Sequence, residues 1–286
     1  MVKLRTLLGT YLHTRALLSG EVSAPGVAFE FAEVSGRLPF RRFVRTNEFD
    51  VSELPLVPML QAVGLRKSIV LLPVVMTSRF QHDAVYVRVD AEMAPQDLEG
   101  RRIACRTDAN TGIVWALGIL QNEYGVDIST FTLVTSEDNH VAEYLSPARV
   151  ELMPDKDPAQ MLADGEVDAA ITETDMSADK RFKRLIPDPA AEAKRWYMKH
   201  NVKPVGHVLA LDAELSRNNP GLAGTIFELL RRSQAASAMT SDRPFGADPI
   251  RSTLELMIGY AMQQKLLARQ IEVDELYDDA TRALRS

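Results

Sequence analysis

One arginine and two histidines are placed where they could act on a small organic acid. Arg79 and His82 lie in MTSRFQHDAVYV, ahead of an apolar run, and His207 lies in VKPVGHVLALD, where another apolar run begins. An imidazole can transfer a proton near neutral pH, and a guanidinium can bind a carboxylate through paired hydrogen bonds. Both segments are typical of strand starts that face a ligand cleft, so these three residues are the first candidates for chemistry.

The composition is that of an ordinary globular protein and excludes several classes of function. The 286 residues are 46% hydrophobic and 25% charged, which suffices for one large domain or for two lobes with their own cores. A formal net charge of -6, with the arginines scattered among acids, predicts no nucleic-acid partner. No apolar run approaches the roughly 20 residues of a membrane span, so no membrane partner is expected.

Cysteine usage and the first residues predict a cytoplasmic protein. The single cysteine, Cys105, excludes an internal disulfide and is typical of a reducing compartment. The apolar residues of MVKLRTLLGTYLHTRALLSG are interrupted by Arg5, His13 and Arg15, which is unlike a secretory signal. Cys105 itself lies in an apolar run with no base beside it, so we expect a buried thiol rather than a nucleophile.

The elements that must position the candidates alternate between strands and helices. Strands are predicted at VKLRTLL, VAFEFAEV, FDVSEL, IVLLPVV and DAVYVRV, with a helix at PLVPMLQAVG. A second α/β unit is predicted from APQDLEGRRIAC through TGIVWALGILQNEYG, TFTLV, DPAQMLADGE and VDAAIT. This order predicts α/β lobes with mostly parallel sheets. We expect residues 1-90 and 205-286, with C-terminal helices, to form lobe 1, residues 91-204 to form lobe 2, and the ligand cleft to lie between them.

Several stretches resemble the 4,5-dihydroxyphthalate decarboxylase family, and the resemblance covers nearly the whole chain. The more particular ones are RFQHDAVYV, WALGILQNEYGVD followed by HVAEY, and the PVGH strand start, while DLEGRRIAC and LADGEVDAAI are general to binding proteins. The resemblance implies a two-lobe type II periplasmic-binding-protein-like fold with two interlobe crossings. The chain departs from the family at His13, where an aspartate is expected, and in the loop RTDANTG.

The resemblance also implies a reaction. A carboxy-lyase of this kind would convert a hydroxylated aromatic dicarboxylate, such as 4,5-dihydroxyphthalate, into a product like protocatechuate in phthalate degradation. A hydroxyl para to the leaving carboxylate can feed electrons into the ring, so that a ring carbon accepts a proton and carbon dioxide leaves without a cofactor. The protein must supply an acid, a base and a cation. The alternative is a non-catalytic solute-binding protein for a small organic anion, because fold does not settle function.

Three residues are candidates for the proton transfers. His82 and His207 each begin a predicted strand, and Glu53 ends the short strand before Pro55, at an edge where α/β sheets collect ligands. Either histidine could instead be a structural residue of the core, and Glu53 could be an acid that stabilises the start of the next helix. Arg79 suits carboxylate capture, with a solvated surface arginine as the alternative.

Further residues are candidates for substrate contacts. Thr107, Asn110 and Thr111 precede a helix whose free N–H groups favour an anion, and Thr111 could cap that helix, although capping alone explains such residues. Glu173 follows the strand VDAAIT. The residues after the first strand are expected to face the same cleft, and His13 among them is expected to alter substrate choice; they are Tyr11, His13 and Arg15.

No cofactor or metal is expected from the sequence. There is no phosphate-binding glycine loop, no dinucleotide fingerprint and no serine elbow. Glu137, Asp138, His140 and Glu143 lack an established metal-ligand spacing, so a loop of solvated acids is the preferred interpretation. The expected partner is the aromatic carboxylate, and the helical C-terminal segment could either cover lobe 1 or form a contact in a homodimer.

Overall fold

Two mixed sheets form the framework of the computed structural model, which describes residues 1–33, 39–237 and 243–285. The described residues form these strands: β1 Val2–Leu7, β2 Val27–Phe31, β3 Val51–Pro55, β4 Ile69–Ser78, β5 Val85–Arg88, β6 Arg102–Cys105, β7 Thr132–Thr135, β8 Val150–Leu152, β9 Ala169–Ile171, β10 Phe182–Arg184 and β11 Val205–Asp212. The first sheet has the order β2-β1-β3-β11-β4, and the second has the order β10-β5-β9-β6-β7-β8.

The α/β class predicted from the sequence is confirmed, and each sheet is parallel except at one strand. In the first sheet β11 runs antiparallel to both β3 and β4. In the second sheet β5 runs antiparallel to both β9 and β10. In this sheet β3 and β4 are buried along nearly their whole length, as expected for strands that are covered on both faces.

The chain divides into two units whose boundaries differ from the predicted ones. Unit 1 comprises residues 1–78, 205–258 and 267–286, and unit 2 comprises residues 79–204 and 259–266. The predicted end of lobe 1 at residue 90 is wrong because β5 pairs with strands of the second sheet. The predicted lobe 2 also lacks the short stretch 259–266, which lies within a run of helical periodicity and carries no sequence signal of its own.

The helices begin and end at recognisable residues. They are α1 Arg15–Leu18, α2 Pro39–Thr46, α3 Leu56–Gly64, α4 Thr111–Tyr124, α5 Pro158–Ala163, α6 Pro189–His200, α7 Ala213–Asn218, α8 Leu222–Ala236, α9 Ala247–Gln263 and α10 Asp279–Arg282. Asp188 caps α6 by accepting from the Ala191 N–H, and a proline follows at the first helical position. Gly125 ends α4 in the left-handed conformation, with φ of 69°.

The structure differs from the sequence-based expectation in the C-terminal segment and at some short elements. The C-terminal helices that are expected in lobe 1 do not continue through residues 272–285, which form a 3₁₀ turn at Val273–Leu276 followed by the one-turn α10. The break lies at Asp278, whose backbone is extended and whose side chain accepts from the Thr281 N–H, starting a new turn. The helix α6 and the strands β8 and β10 are additional elements that the apolar pattern does not reveal.

The second sheet carries a core on each face. Val85 and Val87 of β5 pack on one side with the buried face of α4, whereas Tyr86 packs on the other side with Met161 of α5. This is the period of two that a strand imposes on its side chains. Within the described part of the chain, no helix is long and apolar enough to cross a membrane. The cytoplasmic location and the homodimer stay predictions.

Candidate active site

Glu53 lies at the centre of unit 1's sheet and binds three donors. Its side chain is 0% exposed. The Tyr11 hydroxyl donates to Oε1 at 2.6 Å, the Gly9 N–H donates to Oε2 at 3.0 Å, and Nδ1 of His207 lies 2.5 Å from Oε1. Glu53 is the central residue of β3 rather than its last one, so the interpretation as a helix-start acid is wrong.

Strand pairing brings His207 to Glu53. In the antiparallel pair of β3 and β11, His207 lies opposite Pro55 and Leu209 lies opposite Glu53. His207 and Glu53 are therefore diagonal neighbours on one face of the sheet, within reach of long side chains. On its other side β11 shifts register against β4 around His207, an irregularity of the kind that re-aims a side chain. The His207 N–H donates to Thr77 Oγ1 at 2.9 Å there.

The electrostatics of this cluster favour an ionised Glu53. Burial raises the pKa of Glu53, but the hydrogen bonds from His207, Tyr11 and Gly9 and the charge of His207 outweigh burial and lower it. The pKa of Tyr11 is raised by burial and by the charge and hydrogen bond of Glu53, so the phenol stays a donor. An ionised carboxylate accepts the Nδ1–H of His207 and leaves Nε2 to exchange protons. The His207 side chain is 27% exposed, whereas that of Glu53 is fully buried.

Gly9 permits the close approach that holds Glu53. A Cβ atom at this position would lie 2.7 Å from Glu53 Oε2 and 2.6 Å from the Tyr11 ring. Any other residue would therefore push the carboxylate and the tyrosine apart. Sequence analysis missed Gly9, although a glycine directly after a buried strand is a signal of close backbone approach.

His13 extends the cluster beyond Tyr11. The two rings stack with centroids 5.0 Å apart and an interplanar angle of 9°. The Arg243 guanidinium donates to His13 Nδ1. Burial, followed by the charge of Arg243, lowers the pKa of His13 to about 4. Arg15, in contrast, is exposed at the start of α1. Arg243 is a residue that sequence reasoning missed, because it lies in no motif and in no regular element.

His82 lies in unit 2, in a turn just before β5, and is 3% exposed. Its ring contacts Phe80, with centroids 6.3 Å apart, and Trp196, with centroids 6.1 Å apart. Burial lowers its pKa to about 4, so the ring is neutral at physiological pH. Its Nδ1 atom has no hydrogen-bond partner among the described residues. The aromatic surroundings are those of a core histidine, one of the two interpretations that the sequence leaves open.

Arg79 is bound within unit 2. Its Nη1 donates to the Glu173 carbonyl oxygen at 2.6 Å, and its Nη2 donates to Asp83 at 2.9 Å. The Glu173 side chain is exposed, and its Oε2 lies 3.5 Å from Asn110 Nδ2. The Arg79 guanidinium therefore joins two segments of unit 2. It is not the solvated surface arginine that the sequence leaves as an alternative.

The polar loop before α4 has an internal network. Asn110, not Thr111, is the N-cap: its Oδ1 accepts from the Ile113 N–H at 3.1 Å, and Thr111 is the first helical residue. Thr107 hydrogen-bonds to Asn139, and the Asn139 amide donates to Asp108 at 3.0 Å. Thr111 is not the cap because the helix already begins at that residue, and the residue with the extended backbone of an N-cap is Asn110.

The remaining chemical candidates do not form a second centre. In the described ranges, no group of three or more His, Cys, Asp or Glu residues is placed to hold a metal ion. Glu137, Asp138, His140 and Glu143 are therefore not a metal site by this criterion. The loop is not solvated throughout, because His140 is buried. Cys105 is buried as predicted, and burial raises the pKa of its thiol.

Comparison with solved structures gives the fold. The alkanesulfonate-binding protein SsuA of Xanthomonas axonopodis pv. citri, bound to MOPS, matches 97% of this chain and 98% of its own with a TM-score of 0.63 and 12% identity. A DszB mutant in complex with biphenyl-2-sulfinic acid matches 99% of this chain and 98% of its own with a TM-score of 0.57 and 17% identity. The type II periplasmic-binding-protein-like fold is thereby confirmed, and these identities support nothing beyond the fold.

Sequence comparison gives the family. No family model matches the chain. The 4,5-dihydroxyphthalate decarboxylase of Pseudomonas putida is 28% identical over 211 residues, which cover 68% of this chain and 81% of the relative. The enzyme of that name from Comamonas testosteroni is 30% identical over 285 residues, which cover 90% of this chain and 84% of the relative. The chain therefore belongs to the 4,5-dihydroxyphthalate decarboxylase family, a family of carboxy-lyases.

Proposed function

We propose that this protein decarboxylates a hydroxylated aromatic dicarboxylate similar to 4,5-dihydroxyphthalate, without a cofactor, and releases a monoacid similar to protocatechuate. The names of its relatives support the substrate class. The observation that carries the chemistry is the 2.5 Å contact between His207 and the buried Glu53. A carboxylate that orients an imidazole is a recurrent arrangement for moving protons in enzymes.

The reaction requires one proton to reach the ring carbon that bears the leaving carboxylate. When the para hydroxyl releases its proton to a base, its electrons enter the ring and that carbon becomes able to accept a proton. The carbon to carboxylate bond then breaks, carbon dioxide leaves, and the electron pair of the bond restores the aromatic ring and the phenolate. The phenolate takes back a proton, so the net change is one proton gained and one carbon dioxide lost.

In the proposed mechanism His207 delivers the proton to the ring carbon from Nε2. Glu53 accepts the Nδ1–H, which selects the tautomer and stabilises the imidazolium while it carries the proton. Tyr11 keeps Glu53 ionised by donating to the same Oε1. His82 stays a second candidate for proton transfer: as a neutral imidazole it suits an acceptor, although 3% exposure restricts its access to a ligand.

The other predicted residues stay candidates for substrate contacts. Glu173 is exposed, and Asn110 reaches it from the start of α4. Because a carboxylate substrate favours helix N-termini, the N–H groups after Asn110 suit the anion. Thr107 lies in the loop before α4, and Thr111 is the first residue of that helix. Arg15 stays a candidate as well and is exposed at the start of α1.

The direct test is turnover. Purified protein is mixed with 4,5-dihydroxyphthalate, and carbon dioxide and the monoacid are measured for the unaltered chain, His207→Ala and His82→Ala. The Arg231→Gln variant, which removes an exposed charge on α8, is the matched control. We expect turnover that falls by about 10²-fold or more in His207→Ala and is unchanged in Arg231→Gln. Full activity in His207→Ala would contradict the assigned role, and loss of activity on chelation with recovery on adding a divalent metal would contradict the cofactor-free reaction.

A second candidate function is a solute-binding protein for a small organic anion. The similarity of the fold to an alkanesulfonate-binding protein is the observation that favours it. The same experiment separates the two functions, because tight binding of the dicarboxylate without release of carbon dioxide would support binding and contradict catalysis. Measurement of both affinity and turnover on one preparation is therefore sufficient.

A further inference from the structure

The hydrogen bond between Arg243 and His13 determines which nitrogen of His13 carries the proton. A guanidinium has only donors, so the Nδ1 atom that it binds must present a lone pair. Burial and the charge of Arg243 keep the ring neutral. A neutral imidazole with a lone pair on Nδ1 carries its proton on Nε2. The structure thus assigns the Nε2–H tautomer to His13.

This tautomer leaves a polar group unsatisfied. The Nε2 atom is buried and has no hydrogen-bond partner among the described residues, and the whole side chain is only 3% exposed. A buried donor without a partner is destabilising and is rare in folded proteins. The unsatisfied Nε2–H belongs to the same ring whose other nitrogen, Nδ1, binds the Arg243 guanidinium. Such local costs concentrate at functional sites.

Arg243 lies next to the Glu53 cluster. Its charge acts on both Tyr11 and His13, and the Tyr11 hydroxyl donates to Glu53 at 2.6 Å. A cation is required near this cluster by the proposed reaction, because the substrate retains one carboxylate after the other has left. Arg243 has five N–H donors in a planar fork, so it can bind His13 and a carboxylate at the same time.

We propose that Arg243 binds the carboxylate that the substrate retains, and that His13 is the positioning residue that orients its guanidinium. The identity of the ligand rests on the proposed function. In this proposal the carboxylate anchor is Arg243 of unit 1, the unit that contains the Glu53 cluster, whereas Arg79 belongs to unit 2, where its guanidinium binds Asp83 and the Glu173 carbonyl. His13 then affects substrate choice through Arg243 rather than by contact with the aromatic ring.

The test compares two ligands that differ by one carboxylate. Binding of protocatechuate and of catechol is measured by calorimetry for the unaltered protein, Arg243→Gln and the control Arg231→Gln. We expect Arg243→Gln to weaken binding of protocatechuate by about 10- to 100-fold, as for loss of a charge-assisted pair, and to leave catechol within about threefold. Equal weakening of both ligands, unchanged binding of protocatechuate, or no binding of protocatechuate by the unaltered protein would overturn the inference.

Two variants of His13 test the positioning role. His13→Asn places an Oδ1 acceptor near the position of Nδ1, whereas His13→Leu removes the acceptor. We expect His13→Leu to lose affinity for protocatechuate by about tenfold and His13→Asn to recover most of it. Equal losses in both variants would show that His13 only fills space. Arg243→Lys, which keeps the charge without the fork, is expected to bind with intermediate affinity.

Binding and turnover separate this inference from the proposed function. A protein that binds protocatechuate in a manner dependent on Arg243 but releases no carbon dioxide would keep the inference and remove the decarboxylase. If the Arg243→Gln variant turns over 4,5-dihydroxyphthalate at the rate of the unaltered protein, the decarboxylase function is supported and the role of Arg243 is contradicted. Thermal melting of each variant shows whether a loss of affinity comes from a loss of fold.

Discussion

Nδ1 of His207 lies 2.5 Å from Oε1 of Glu53, although 154 positions separate the two residues in the chain. The contact exists because β11 runs antiparallel beside β3. Glu53 is fully buried and His207 is partly exposed, so the pair joins a buried carboxylate to an imidazole at the surface of the unit. Removing either side of such a pair changes the other side as well.

The first prediction concerns Glu53→Gln. An amide cannot provide the anionic acceptor that selects the His207 tautomer, so we expect kcat to fall by about 10²- to 10⁴-fold with little change in KM. Release of carbon dioxide at saturating substrate measures it. The double variant Glu53→Gln/His207→Ala should be no slower than His207→Ala alone, because the two residues act as a unit. A kcat within twofold of the unaltered protein would contradict the assigned pair.

A second prediction concerns Tyr11→Phe. The hydroxyl of Tyr11 helps to lower the pKa of Glu53, so its removal raises that pKa and the carboxylate takes up a proton at higher pH. We therefore expect the acidic limb of the profile of kcat against pH to move to higher pH, and kcat to fall by about 3- to 10-fold. Tyr197→Phe, which removes a hydroxyl from the exposed surface of α6, is the control. An acidic limb that stays in place would show that the hydroxyl does not act on Glu53.

The sequence predicts which segments form strands and helices better than it predicts which strands pair with each other. Alternating apolar runs predict the α/β class, and the return strand at His207 is where it was expected. The apolar pattern of β5 is the same whichever sheet it joins, so the end of lobe 1 is placed too late. The sequence marks Glu53 and His207 separately, but only strand pairing joins them. Gly9 and Arg243 have roles that depend on distant neighbours, and neighbours of that kind leave no local pattern.

A third prediction concerns the dependence of stability on pH. Burial lowers the pKa of His82 in the folded protein from its ordinary value of 6.5 to about 4. Between these values the unfolded chain binds a proton that the folded chain does not, so stability is full above pH 6.5 and is lost as pH falls toward 4. We expect this histidine to contribute about 2 kcal/mol of that loss after screening by solvent.

The His82→Gln variant isolates this contribution. Free energies of unfolding in urea at pH 7 and pH 5 should differ less in His82→Gln than in the unaltered protein. His13 has a pKa lowered to the same value and stays in both proteins, so about half of the histidine-dependent loss is expected to remain. An unchanged difference between the two pH values would indicate that His82 is not neutral in the folded chain.

A fourth prediction uses two helical glycines that differ in their surroundings. A Cβ added at Gly118 of α4 would clash with Cδ2 of Tyr260, whose ring packs edge-on against Trp115 with centroids 5.5 Å apart. Alanine favours a helix by up to about 1 kcal/mol, but the ring must move out of a packed core. We expect Gly118→Ala to lower the free energy of unfolding by about 1 to 3 kcal/mol.

The matched control is Gly259→Ala in α9. Among the described residues, a Cβ there would meet no atom within 4 Å apart from its own stretch of helix, so only the helical preference of alanine acts and we expect a gain of about 0.5 to 1 kcal/mol. The same chemical change should therefore have opposite signs at two helical sites, as measured by urea unfolding. Combining Gly118→Ala with Tyr260→Ala should cost less than the sum of the two single changes, because truncation of the ring removes the clash. Stabilisation by Gly118→Ala would contradict the close packing of α4 against Tyr260.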